Sequence, residues 1–392
     1  MRERLLLVIM IDALGHRIVE ESGRFDYLAA PDGPVRAVCG YSSACIPTLL
    51  TGAPPRTHGH WAMYLRNRRQ SPFRPFAPLL RLGQRLGRHY RLRRLMTRWV
   101  QLRGVRGYFD LYQVPLHLLP QFALCEPDDI FAADGLPGFD TPATAAQRLG
   151  LPYRVWQWRL EETARRRALE AALEQGDAGL LFFYSPQLDA VMHAHGTRGA
   201  AVAACLDDFD AWVRRCLDLA ARRYRDVRLL VFGDHGMTDV TAVDDLLPEL
   251  EALAPRMPGD YLYFVDSTMA RFWFDRPGVR AQVEALLASK PYGRLLAAEE
   301  QARLGLDFDD DRYGETVFLM NPGRVLAPSF MGPTAPRGMH GYHPDHADSS
   351  TILLSNFAHR PVQTIADIGP LIVRELEELA ARRRAGLSGE SG

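Results

Sequence analysis

Seven consecutive apolar residues, 5-LLLVIMI-11, run up to Asp12. A strand that is apolar at every position offers neither face to water, so it belongs inside a sheet covered on both sides. Similar runs recur at 179-GLLFFY-184, 228-RLLVFGD-234, 261-YLYFV-265 and 351-TILLS-355. Helical periodicity covers 159–175, 197–223, 278–289 and 366–384. Buried strands alternating with helices predict an α/β fold: a doubly wound, mostly parallel central sheet with helices on both faces. Ligands in such folds bind beyond the carboxyl ends of the strands. Asp12 and Asp234 both stand at such ends.

Two segments break the alternation. Between Trp61 and Phe109 there are thirteen arginines and no acid. Leu79, Leu82 and Leu86 fall on one helical face with Arg81, Arg85 and Arg88 opposite, and Leu92, Leu95, Met96 and Trp99 form a second stripe after a break near Gly87. Residues 61–125 therefore read as an arginine-rich helical insertion capping the site. Residues 240–335, with the acidic turn 307-DFDDD-311, read as a small α/β insertion. That leaves 1–60, 126–239 and 336–384 as the catalytic core, and 385–392 as a disordered tail.

Charge excludes some partners. The 47 basic and 47 acidic side chains cancel, so no nucleic-acid partner is expected. Peripheral contact with an acidic membrane surface stays open through the arginine-rich segment alone. Five scattered cysteines without a CxxC pair suggest neither a disulfide framework nor a thiolate zinc site, and point to reduced thiols in a cytoplasmic protein. The apolar start is short, ends at Asp12 and has no small-residue cleavage site after it, so it reads as a strand.

Four dispersed clusters carry chemistry. Asp12 is the first. The second is 41-YSSACIPTLLTGAPPRTHGH-60, rich in hydroxyls and imidazoles. The third, 184-YSPQLDAVMHAHGTRG-199, sets Asp189 and His193 four residues apart, on one face of a helix. The fourth, 231-VFGDHGMTD-239, runs a buried strand into Asp234 and His235; nearby in function is His340 of 337-RGMHGYHPDH-346. Singly, each is more often a helix cap, a surface ion pair or a loop residue. Together they make the mixed carboxylate and imidazole set that divalent metals bind.

In this order, Asp12, the Ser42 to His58-Gly59 stretch, Asp189 and His193, Asp234-His235-Gly236-Met237 and His340-Gly341-Tyr342 resemble the alkaline phosphatase superfamily, and within it the type I phosphodiesterase/nucleotide pyrophosphatase branch. The resemblance implies a nucleophile ten residues before Gly52, at Ser42, with Ser43 as runner-up or hydrogen-bonding neighbour. It assigns Cys45 to packing, because 45-CIPTL-49 lacks the arginine of the sulfatase motif and is out of register. It implies two divalent ions, zinc with manganese as an alternative: one held by Asp189, His193 and His340, the other by Asp12, Asp234 and His235. Met63 stands where the branch has an asparagine that touches phosphate, so either another donor substitutes, Arg66 or a backbone amide, or the substrate is held differently. His343 and His346 read as loop residues. The implied activity is metal-dependent hydrolysis of a phosphodiester or pyrophosphate bond in a small-molecule phosphate ester. A phosphomonoesterase or phosphomutase on the same metal core, and a non-catalytic binder of anionic surfaces, are the alternatives.

Overall fold

The computed structural model describes residues 2–82 and 90–389. Its central sheet has six strands: β1 (Arg2–Ile11), β2 (Pro34–Val35), β3 (Tyr153–Trp156), β4 (Leu180–Ser185), β5 (Tyr224–Phe232) and β6 (Thr351–Ser355), in the spatial order β2-β6-β5-β1-β4-β3. Strands β3, β4, β1 and β5 run parallel. β6 joins β5 antiparallel, and β2 joins β6 antiparallel. The helices that matter below are α1 (Ser42–Thr51), α2 (Gln187–His195), α3 (Ala200–Ala221) and α4 (Ile368–Gly389).

The all-apolar β1 is explained by its two faces. Leu5, Leu7, Ile9 and Ile11 pack with Leu206, Phe209 and Trp212 of α3 on one side. Leu6, Val8 and Met10 pack with Ile46 and Leu49 of α1 and Ile372 and Leu376 of α4 on the other. Successive side chains of a strand point to opposite faces, so seven apolar residues feed two cores. Each such burial stabilises by roughly 1.5–3 kcal/mol, which anchors β1 in the middle of the sheet. The result is an α/β fold with a mostly parallel sheet between helical layers.

Two apolar runs depart from the parallel expectation. Thr351–Ser355 enters the sheet antiparallel. Tyr261–Val265 is not in it: with Met269–Phe274, Gly293–Leu295 and Thr316–Met320 it forms a separate four-stranded antiparallel sheet. An all-apolar run records burial on both faces and says nothing of strand direction. Here the second face is covered by the segment after Trp61. Phe264 stacks on Tyr64 with ring centroids 5.3 Å apart and meets Phe122 edge to face at 5.2 Å. Arg271, fully buried, donates to the Tyr64 carbonyl at 2.8 Å and to Asp266 at 3.0 Å. The stretches 61–125 and 240–335 thus contribute to one shared hydrophobic cluster.

The helix Tyr90–Leu102 buries Met96 and Val100, and Trp99 meets Phe76 edge to face at 4.6 Å. Leu95 is 65% exposed, so it leaves the expected stripe and Val100 takes a place in it. Leu86, Arg85, Arg88 and the break at Gly87 lie outside the described residues, as do the side chains of Leu79, Arg81 and Leu82. Residues 385–389, expected in a disordered tail, continue α4; each further residue on a formed helix adds a backbone hydrogen bond at no nucleation cost. The remaining tail residues, 390–392, lie outside the described ones. Among the described residues no helix is long and apolar enough to cross a membrane.

Candidate active site

β1 and β5 are sheet neighbours, so the residues that follow them, Asp12 and Asp234, emerge side by side. Both are buried, at 3% and 0% exposure. The chain turns sharply after Asp12: Ala13 adopts a left-handed φ of 62°, and its amide donates to Asp234 Oδ1 at 3.3 Å. An L-residue held there costs on the order of 1–3 kcal/mol, strain of the kind that collects at functional sites. The two strand-end loops touch through glycines. A Cβ on Gly236 would lie 2.1 Å from the Asp348 carbonyl oxygen, and one on Gly15 would lie 2.9 Å from Gly236 Cα. The Asp-His-Gly turn after β5 is therefore glycine-ended for want of space.

α2 follows β4 and carries Asp189 and His193 one turn apart, with Nε2 3.3 Å from Asp189 Oδ1. His340 Nε2 approaches the same oxygen at 3.5 Å, and its ring stacks on that of His235, centroids 3.7 Å apart and 13° from parallel. His235 Nε2 lies 3.3 Å from Asp12 Oδ1 and 3.4 Å from Asp234 Oδ2. Ser42, the first residue of α1, places Oγ 3.1 Å from that same nitrogen. Six acid and imidazole side chains, two from helix α2 and four from three loops, thus gather near one hydroxyl.

The ring orientations suit ligation. His193 Nδ1 faces the Gly338 carbonyl at 2.8 Å, and His235 Nδ1 faces the Gly236 carbonyl at 2.9 Å. A carbonyl is satisfied only by an N–H, so each neutral ring keeps its lone pair on Nε2, toward the carboxylates. Burial, with the nearby charges of His235 and His193, holds His340 well below the usual imidazole range. Burial would lower His193 as well, but the negative charge of the adjacent Asp189 carboxylate outweighs it and takes the ring up to about 9. Burial first, then the charges of Asp234 and Asp189, push Asp12 well up. Burial likewise takes Asp234 to about 6.

Crowded buried carboxylates call for a cation, and the hydrogen bonding says so independently. Asp12 Oδ1, Asp189 Oδ1, Asp234 Oδ2 and His340 Nδ1 are buried without any hydrogen-bond partner. Orphaned buried acceptors are rare unless something else satisfies them. Two groups have ligand atoms all within 4.8 Å of one another: Asp189, His193 and His340, and Asp12, Asp189 and His235. The residues present fit two divalent ions. The grouping differs from the expected one in two respects: Asp189 belongs to both groups, and Asp234 is in neither but stands beside the second through its contact with His235.

The remaining sequence candidates fall as follows. Ser43 Oγ donates to the Trp61 carbonyl at 3.1 Å, beside the site but turned to the backbone. Arg66 does not reach the site. Its guanidinium is held by both oxygens of Asp275, at 2.5 and 2.7 Å, and lines a different cleft together with that partner. Met63 lines the cavity and accepts the Asp110 amide through Sδ at 3.3 Å. Cys45 is fully buried in the core between α1 and the sheet. His58 bridges Thr48 Oγ1 at 2.9 Å and the His60 amide at 3.1 Å, which pins the chain after α1. His343 pairs with Glu300 at 3.1 Å, and His346 lines a separate cavity.

Sequence reasoning missed several groups. Tyr184 donates to Asp12 Oδ2 at 2.5 Å, so that Oδ1 is left to face the site. Its position at the end of β4 was the available signal. Glu126, Tyr108, Tyr112 and Trp158 line a cavity of about 270 Å³ that opens beside Ser42 and Asp189. Nothing in their sequence context marks them, because these four come from three separate segments of the chain.

The family described as type I phosphodiesterase / nucleotide pyrophosphatase matches residues 40–343, which include every site candidate named above except Asp12 and His346. A search of curated proteins gave no match. Among solved structures, murine ectonucleotide pyrophosphatase/phosphodiesterase 5 superposes with a TM-score of 0.68 at 16% identity, covering 95% of each chain. An inactive variant of it in complex with AMP gives 0.64 at 15% identity, covering 96% of this chain and 95% of the other. The human protein of the same name gives 0.67 at 14% identity, covering 95% of each. The expectation of a cytoplasmic protein is corrected by these names, which describe ecto-enzymes. It rested on unpaired cysteines, and all five are buried free thiols, packing groups that record no compartment. The chain belongs to the type I phosphodiesterase/nucleotide pyrophosphatase family and is a phosphodiesterase/nucleotide pyrophosphatase-like hydrolase.

Proposed function

We propose that the chain hydrolyses a phosphodiester or pyrophosphate bond of a small-molecule phosphate ester through Ser42, with two divalent ions held by Asp12, Asp189, His193, Asp234, His235 and His340. The observation that carries this reading is the set of orphaned carboxylate oxygens on Asp12, Asp189 and Asp234 gathered around the His235 nitrogen to which Ser42 points. Mixed oxygen and nitrogen ligands suit zinc, with manganese as the alternative. Bound there, the ions would favour the serine alkoxide and offset the charge that develops at phosphorus.

The chain's own residues do the rest. Tyr184 fixes the Asp12 carboxylate, and the carbonyls of Gly338 and Gly236 hold the His193 and His235 rings with Nε2 inward. Ser42 opens a ten-residue helix; the Ala44 and Cys45 amides donate to the Tyr41 carbonyl, which leaves the Ser42 and Ser43 amides of the first turn to favour an anion. Those amides are the donors left to a non-bridging phosphate oxygen, since Met63 carries none and Arg66 is engaged elsewhere. In the first step the Oγ–P bond forms as the bond from phosphorus to the leaving oxygen breaks, and the serine proton departs with the leaving group. In the second, water attacks phosphorus, the Oγ–P bond breaks, and a proton from that water returns to Ser42.

Among the described residues no arginine or lysine lines the cavity. The second negative charge of a phosphomonoester would find no basic side chain there, which favours a diester over the monoesterase or mutase alternative. The AMP complex of the murine relative is in keeping with a phosphate ester ligand. The test compares bis-p-nitrophenyl phosphate with p-nitrophenyl phosphate. The diester is cleaved faster, and both a chelator and Ser42→Ala abolish the cleavage; preference for the monoester would favour the alternative.

A further inference from the structure

The zero net charge of the chain conceals a separation. The thirteen charged side chains between Trp61 and Phe109 are all arginines, and because 47 basic and 47 acidic side chains cancel over the whole, the rest of the chain carries an acid excess of thirteen. Helix Tyr90–Leu102 presents part of that basic segment to solvent. Its inner face holds Met96 and Val100, both buried. On the opposite face stand Arg94, Leu95, Arg98 and Leu102, all exposed and spaced within two turns.

This face differs from the rest of the surface in two ways. Leu95 and Leu102 are the two most exposed large apolar side chains among the described residues, at 65% and 86%. Single exposed leucines are ordinary, but these two share one stripe. Arg94 and Arg98 have no acid partner among the described residues. Exposed arginines elsewhere do: Arg214 holds Asp26 and Asp210, Arg215 holds Glu170, and Arg148 holds Asp140. Arg74 adjoins the helix, since its turn sets Phe76 against Trp99 at 4.6 Å, and it too is exposed without an acid partner among the described residues.

Unpaired guanidinium groups beside exposed leucines suit a surface that offers anions and hydrocarbon together. An anionic phospholipid bilayer offers both, phosphates at the level of the arginines and an acyl boundary beneath them. Arginine lays its stem along apolar surface and keeps its head in the polar layer. A nucleic acid offers phosphate and planar bases, which stack on aromatic rings rather than on leucine. A second copy of the chain offers acids, but many of these are engaged by arginines of its own, as Glu170 and Asp140 are. The acid excess of the remaining chain is repelled by an anionic bilayer, so the charge separation also turns the helix toward the lipid.

We propose that the face of helix Tyr90–Leu102 bearing Arg94, Leu95, Arg98 and Leu102 docks the protein on an anionic phospholipid surface, the arginines on lipid phosphates and the leucines in the acyl boundary. This docking is independent of the chemistry at Ser42.

Flotation of the metal-loaded full chain with vesicles tests it. One set of vesicles is phosphatidylcholine alone, and the other is phosphatidylcholine mixed equally with phosphatidylglycerol. The mixed vesicles are expected to bind at least tenfold more tightly, with a binding that weakens as salt is raised. The double variants Arg94→Gln/Arg98→Gln and Leu95→Ser/Leu102→Ser are each expected to weaken it at least fivefold while keeping the wild-type melting temperature, because all four side chains are exposed. No preference for the mixed vesicles, or a leucine variant that binds them as the wild type does, overturns the proposal. Two further outcomes overturn it as well. Oligothymidylate that displaces the protein from the vesicles assigns the face to a nucleic acid. A dimer in sedimentation velocity that the leucine variant dissolves assigns it to a second copy.

Discussion

Ser42 Oγ lies 3.1 Å from His235 Nε2, although 193 residues separate the two in sequence. That contact joins the helix after one core segment to the loop after another, and it singles out one of two adjacent serines. Ser43 spends its hydroxyl on the Trp61 carbonyl. Ser42→Ala should therefore lower kcat on an aryl diester by ~10³ or more, the loss expected when a nucleophile is removed. Ser43→Ala should stay within about tenfold of wild type, the effect of releasing one neutral hydrogen bond of about 1 kcal/mol. Steady-state kinetics on the two variants check this, and the reverse order would move the nucleophile to Ser43.

Asp189 belongs to both ligand groups, whereas His193 belongs to one. Asp189→Asn should leave the dialysed protein with less than one bound ion, and His193→Ala should leave one. Metal analysis after equilibrium dialysis reads both. Equal losses in the two variants would contradict the shared role of Asp189.

Gly236 has no room for a side chain, since a Cβ would meet the Asp348 carbonyl at 2.1 Å. Gly236→Ala should destabilise the protein by about 1–3 kcal/mol, the usual range for overpacking. Because the strain falls on the turn that carries Asp234 and His235, metal affinity should fall with it. Chemical denaturation and metal titration measure the two effects separately.

The buried Glu126 gives stability a pH signature. Burial raises its carboxyl from the ordinary 4.5 to about 8, helped by Asp129 and opposed by the Tyr108 amide. Below pH 4.5 it is neutral folded or unfolded and contributes no penalty. Between about 4.5 and 8 the folded state holds a proton that the unfolded state has lost, so stability falls as pH rises, by up to about 1.4 kcal/mol per unit. Glu126→Gln removes that slope. Thermal melts of the metal-loaded protein between pH 5 and 8 should show a flatter profile for the variant; parallel profiles would mean that the carboxyl is ionised or paired in the native state.

Much of the architecture was legible because burial is written residue by residue. The run Leu5 to Ile11 announced a strand covered on both faces, and Asp12 announced its end. Strand direction was not legible: Thr351–Ser355 and Tyr261–Val265 are as apolar as the parallel strands, because hydrophobicity reports covering and not pairing. The metal-ligand candidates were legible because each sits at a strand end or at helical spacing, as Asp189 and His193 do. The sharing of Asp189 depends on how helix α2 and the strand-end loops approach in space. The turn of Arg66 toward Asp275 depends on a partner 209 residues away. The cavity around Glu126 is built from segments near residues 63, 108–112, 126–131 and 158, and no local pattern encodes their meeting.

The central claim is that one hydroxyl faces a paired metal centre. A crystal structure of the zinc-loaded protein soaked with orthovanadate tests it most directly. The account predicts two ions, Asp189 ligating at least one of them, and vanadium bonded to Ser42 Oγ. Vanadium on another side chain, or a single ion without Asp189 among its ligands, would contradict it.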